Sequence, residues 1–176
     1  MLVNFSQTLT VAATRQDAWN LLRDAKRLAD LIPSIENIVP VAMDGGGDPE
    51  AGLPEKYLAH VVERVGPFRL SLNLEIRIVE AVESSLLHAE LTGADGRGQN
   101  RLSGTLRAQF KETTPAATLL SMDSSVEVTG ALATLGAAPI RRRANELFAQ
   151  FTERLQNQFS PAAKVIVNSH KKAQET

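Results

Sequence analysis

The chain has 176 residues, 43% of them apolar, with a formal net charge of −1, a composition that suits one globular core and excludes neither a polar nor a lipid partner. It holds no cysteine, so disulfides, thiolate metal sites and cysteine nucleophiles are impossible. No basic region followed by an apolar stretch opens the sequence and no window approaches the ~20 apolar residues of a spanning helix, so the expected place is the cytoplasm, with any membrane contact peripheral.

Val3 to Val11 alternate and favour β-branched residues, which predicts a first strand. Thr14 offers an N-cap to a helix striped by Ala18, Trp19, Leu21 and Leu22. After a break near Asp24-Ala25, a second short helix carries Leu28, Ala29, Leu31 and Ile32 as far as Pro33. Ile35 to Met43 and Lys56 to Val65 read as strands flanking a Gly-rich loop, Asp44 to Pro54. Behind Gly66-Pro67, Phe68, Leu70, Leu72, Leu74, Ile76 and Ile78 alternate with Arg69, Ser71, Asn73, Glu75 and Arg77, the pattern of a strand with one buried and one wet face. Further strands follow at Leu86 to Thr92, Gln99 to Lys111 and Thr118 to Thr129. From Ala131 the period turns helical, with Leu132, Leu135, Ile140, Ala144, Leu147, Phe148, Phe151 and Leu155 on one face; Gly136 and Pro139 mark a start at Pro139 or a short preceding turn of helix. Residues 1 to 159 form the expected domain, and 160 to 176 a flexible polar tail.

This order predicts an α+β fold in which a curled antiparallel meander is covered by the last helix. Leu, Val and Ala dominate the strands over large aromatics, which favours a cavity between sheet and helix. Its expected wall is Leu28, Ile32, Tyr57, Leu70, Leu72, Leu74, Ile76, Leu106, Leu120, Met122, Leu132, Leu135, Ile140, Leu147 and Phe151.

Catalytic chemistry leaves little trace. His60, His88 and His170 stand at no metal-ligand spacing, and the first two read as exposed strand residues. Asp48 with Glu50 and Glu80 with Glu83 read as solvated turn charge. Gly93 to Gly98 lacks both the Gly-Lys-Ser/Thr ending and the following helix of a phosphate loop, so it reads as a hairpin turn. Arg141, Arg142 and Arg143 are either a solvated face or a docking patch for an acidic partner or anionic headgroup. No catalytic residue, metal site or nucleic-acid surface is assigned.

Several stretches in order resemble the CoxG-like family of carbon monoxide dehydrogenase subunits, within the START-like (SRPBCC) helix-grip superfamily. They are Ala18-Trp19 with Leu22 and Asp24, Leu31-Ile32-Pro33, Val65-Gly66-Pro67-Phe68, Gly93 to Gly104, and Val128 to Gly136. Ser34 stands where the family has glycine, and the hairpin is poorer in glycine at Gln99, Asn100 and Arg101. The resemblance implies a helix-grip fold around a hydrophobic cavity, in an accessory protein of molybdenum-containing CO dehydrogenase-type hydroxylases. It further implies a quinone or lipid-like ligand and a role in membrane recruitment or electron delivery.

Two other readings stay open. One is a polyketide cyclase or hydrolase-like enzyme using Tyr57, His60 or Asp123 as acid or base, if their strands are shifted by one residue. The other is a ligand-free assembly factor for a metalloenzyme, docking through Asp44 to Pro54 and the face around Arg141. With only Lys164, Lys171, Lys172 and Val165-Ile166-Val167 in the tail, membrane contact is expected to be weak and salt-sensitive.

Overall fold

The computed structural model describes residues 1–41 and 56–159. The expected loop from Asp44 to Pro54 and the tail from Ser160 onward lie outside the described residues. The elements are β1 (Leu2–Val11), α1 (Arg15–Arg23), α2 (Ala25–Leu31), β2 (Ile35–Val41), β3 (Lys56–Val65), β4 (Phe68–Val82), β5 (Leu86–Asp95), β6 (Asn100–Thr114), β7 (Ala117–Gly130) and α3 (Ala137–Phe159). One antiparallel seven-stranded sheet runs in the order β1-β7-β6-β5-β4-β3-β2. The strands from β2 to β7 therefore pair in series, and β1 adds to the far edge beside β7. The fold is α+β, with the long C-terminal helix laid against a curved sheet.

Local chemistry explains the joints. The Thr14 hydroxyl accepts from the Asp17 backbone N–H at 3.1 Å and starts α1. Asp24 ends α1 with its backbone N–H on the carbonyls of Asn20 and Leu21, and starts α2 by accepting from the Arg27 N–H at 3.2 Å. One residue thus separates two helices that periodicity alone would run together.

Buried apolar side chains gather in two clusters. The first joins α1, α2 and the C-terminal half of α3 to Leu9, Val11, Ala108, Phe110 and Leu120. Trp19 meets Phe110 edge-on within it, with ring centroids 5.4 Å apart and planes at 70°. The second gathers Val3, Val65, Leu70, Leu72, Val128 and Leu132, with Leu135 and Ile140 packed on it from the start of α3 and the turn before.

That turn is a single 3-10 turn, Ala131–Leu135, ahead of a helix that starts two residues before Pro139. Gly130 has φ +96°, and a Cβ there would lie 1.8 Å from the carbonyl oxygen of Gln99, so only glycine fits. Asn100 fastens the turn to the β5–β6 hairpin: its Oδ1 accepts from the buried Leu132 N–H at 2.7 Å, and its Nδ2 donates to Asp95 at 2.9 Å. Burial alone would raise the Asp95 pKa, but the hydrogen bonds from Asn100, Gln99 and Arg97 outweigh it and hold the carboxyl below its usual value. A second fastening lies on α3 itself, where Arg143 Nε donates to Glu63 Oε1 at 2.8 Å. Ser34 donates to the other Glu63 oxygen, so Ser34 and Arg143 share one carboxylate.

Candidate functional site: a hollow beneath the last helix

Between the two clusters α3 does not touch the sheet closely. A hollow of about 330 Å³ remains, lined by Phe5 and Gln7 of β1, Leu22 of α1, Leu28 and Ile32 at the end of α2, and Leu87, Leu106, Ala108, Met122 and Ser124 of β5 to β7. Ala144, Asn145, Leu147, Phe148 and Phe151 of α3 close it from above. The size falls at the lower end of small-molecule pockets. None of the described lining residues is charged, so the chemistry they offer is apolar contact and a few neutral hydrogen bonds.

The register explains which side chains reach it. Phe5 pairs with Ser124 and Gln7 with Met122 across β1 and β7, and Leu106 and Ala108 stand opposite Ser124 and Met122 on β6. Two adjacent inward rows of the sheet therefore form its floor.

Of the residues expected on the wall, Leu28, Ile32, Leu106, Met122, Leu147 and Phe151 line this hollow. Leu120 is completely buried in the first cluster instead. Leu70, Leu72, Leu132, Leu135 and Ile140 pack in the second. Tyr57 is buried opposite a half-buried Ile76, off the hollow. Burial raises the Tyr57 pKa, with Arg23 opposing and Asp24 adding to it. Leu74 keeps to the inward face of β4 with Leu70 and Leu72 and packs over Gly93 of β5, off the hollow. The curl of the sheet divides the inward face of β4 from the rows that face α3 across the gap.

Sequence reasoning missed Phe5, Gln7, Leu22, Leu87, Ala108, Ser124, Ala144, Asn145 and Phe148. One available signal was the pair of polar residues, Gln7 and Ser124, interrupting inward-facing apolar runs. Another was Phe148, already on the helix stripe.

A recess on the outer face of the sheet is larger, about 780 Å³, and the described residues that bound it all belong to strands. Several of its polar groups are engaged: Glu75 with Lys56 at 3.1 Å, His60 with Asn73 at 3.0 Å and Ser71 at 3.2 Å, and Glu127 with the N-terminal amine. His60 belongs to this face, and Asp123, bonded to Ser6, is exposed on it. Neither of the two, nor Tyr57, lines the hollow. His88 is half-buried, and Glu80 and Glu83 are exposed. Among the described residues no group of His, Asp and Glu could hold a metal ion. Arg141 and Arg142 are exposed, whereas Arg143 is taken up by Glu63 and by Glu146 at 2.9 Å. No helix among the described residues is long and apolar enough to cross a membrane.

The family model for CoxG, a carbon monoxide dehydrogenase subunit, matches residues 8–160. Among solved structures, a conserved protein from Geobacillus kaustophilus is 16% identical with a TM-score of 0.76, over 89% of this chain and 95% of that one. A START superfamily protein from Mycobacterium smegmatis is 18% identical with a TM-score of 0.68, over 89% and 96%. The Zhui aromatase/cyclase from Streptomyces sp. R1128 is 11% identical with a TM-score of 0.62, over 92% and 98%. At these identities the likeness is one of fold alone. No curated protein matches the chain by sequence.

Proposed function

The chain belongs to the CoxG family of carbon monoxide dehydrogenase subunits, and on that footing we propose that it is a ligand-binding accessory protein that carries a quinone or lipid-like molecule beneath α3. Its partner is a molybdenum-containing CO dehydrogenase-type hydroxylase, which it serves by electron delivery or membrane recruitment, working without a catalytic step of its own. The observation that carries the reading is the uncharged hollow between two solid clusters. Burying about 200 Å² of apolar ligand there contributes about 5 kcal/mol before the losses of association, which suits a carrier that must release its load. A cyclase-like reaction would need an acid or base on the hollow, and Tyr57, His60 and Asp123 are elsewhere. Arg141 and Arg142, exposed on α3 near its start, are the surface offered to an acidic partner or headgroup.

The test is titration with short-chain menaquinone analogues, read by Trp19 fluorescence and native mass spectrometry. Binding should be lost on filling the hollow by Ala144→Trp, and separately by Leu106→Trp, in variants that melt cooperatively. Absence of binding to wild type, or undiminished binding in both folded variants, overturns the proposal.

A further inference from the structure

Three neutral polar side chains face the hollow: Gln7, Ser124 and Asn145. Gln7 sits one inward step along β1 from Phe5, the residue paired with Ser124, so the two are diagonal neighbours on the floor. Asn145 is exposed on α3, and together with Gln7 it also borders a shallower recess along the seam between β1 and α3. The described structure gives none of these three side chains a hydrogen-bond partner, although the molecule's hydrogen bonds elsewhere satisfy groups as exposed as Gln16 and Ser84. Polar groups on an otherwise apolar wall fix a ligand's orientation when they are left free to bond it.

We propose that the hollow selects ligands with an apolar body and an uncharged polar end, and that Gln7, Ser124 and Asn145 receive that end at the seam between β1 and α3. The inference rests on the carrier reading and narrows it. The described lining residues include no cation to offset what a carboxylate would lose of its hydration there. A carbonyl oxygen needs only donors, and an amide and a hydroxyl supply them. Neutral carbonyl compounds, quinones among them, are therefore favoured over fatty acids.

Three probes with one apolar body separate the possibilities: 2-ethylnaphthalene, 2-acetylnaphthalene and 2-naphthoate, titrated at neutral pH. The full chain is expected to bind the first two and to bind naphthoate at least tenfold more weakly than the ketone. A neutral hydrogen bond contributes roughly 1 kcal/mol, so Gln7→Leu and Ser124→Ala together should weaken the ketone about fivefold or more. The same pair should leave ethylnaphthalene unchanged or tighter. Gln7→Lys should bring naphthoate to an affinity at or above that of the ketone. Each variant is first shown to melt cooperatively, and Asn145→Leu, on an exposed helix position, gives an independent arm. An unchanged ketone-to-hydrocarbon ratio in all three neutral substitutions, or naphthoate binding to wild type as tightly as the ketone, overturns the inference while the carrier reading stands. If none of the three probes binds, the hollow reading itself falls and takes the inference with it.

Discussion

Replacing Asn100 by alanine tests the joint that sets α3 over the sheet. The side chain makes two hydrogen bonds, to the Leu132 N–H at 2.7 Å and to Asp95 at 2.9 Å, and the residue is 9% exposed. Half-buried Asp95 keeps its hydrogen bonds from the Gln99 and Asn100 backbone N–H groups; the loss that matters is the Leu132 N–H, whose partner disappears. An unsatisfied buried donor costs about 1–3 kcal/mol. For a domain of this size each kcal/mol shifts Tm by about 2–4 °C, so Asn100→Ala should melt about 4–8 °C lower at a cost near 2 kcal/mol, checked by urea titration with an unchanged slope. Asn100→Asp keeps an acceptor for Leu132 but sets a second carboxylate against Asp95, and should be destabilised at neutral pH and recover as pH falls. A shift below about 1 °C for Asn100→Ala would refute the reasoning, since a water could then serve the N–H as well as the amide does.

The Glu63 latch predicts an acid limb. Burial alone raises its pKa, but the hydrogen bonds from Arg143, Ser34 and the Arg64 backbone lower it on balance. The stabilisation is present in full above the ordinary glutamate value of about 4.3 and is lost as pH falls through the lowered folded value; Glu63→Gln should melt lower than wild type at pH 7 and converge with it in acid. Phe110→Ala removes the partner of the sole tryptophan and should cost about 3–5 kcal/mol, with a red-shifted and less ordered Trp19 emission; an unaltered spectrum would contradict the packing. Gly130→Ala forces a Cβ onto the Gln99 carbonyl at a left-handed φ and should cost about 2 kcal/mol or more; urea midpoints decide it, and a neutral result would show that the turn can relax.

The fold was legible because its signals are local. The alternation in β4, the cap at Thr14, the break near Asp24-Ala25 and the switch to helical period after Gly130 each act within a few residues. Strand ends were read short where the chain keeps pairing past the apolar run, as in β5, which continues through Thr92 to Asp95. The site was harder, because periodicity tells which face of a strand points inward but not which inward row lies under the helix. Leu70 and Leu72 share a face with Leu74 and Ile76, yet the first two fill the cluster below the 3-10 turn and none of the four meets the hollow. Leu106 and Met122 of β6 and β7 do meet it, but so do Ala108 and Ser124 on the same strands, which were missed. Gln7 and Ser124 were passed over because a polar residue on an apolar face is first read as a flaw in the pattern. Asn100 is the same lesson in a turn: what looks like a missing glycine is a side chain occupied by the backbone of another element.

If the chain carries a ligand as proposed, the two packed clusters on either side of the hollow also bear on how that ligand would be exchanged. A span supported at both ends does not rest on what stands beneath its middle. The helix is held at one end by the turn that Asn100 fastens and by the Glu63 latch, and near the other by Phe151 and Leu155 in the first cluster. Emptying the space beneath should therefore leave the abutments standing, so on the carrier reading loading and release would need no unfolding of the chain.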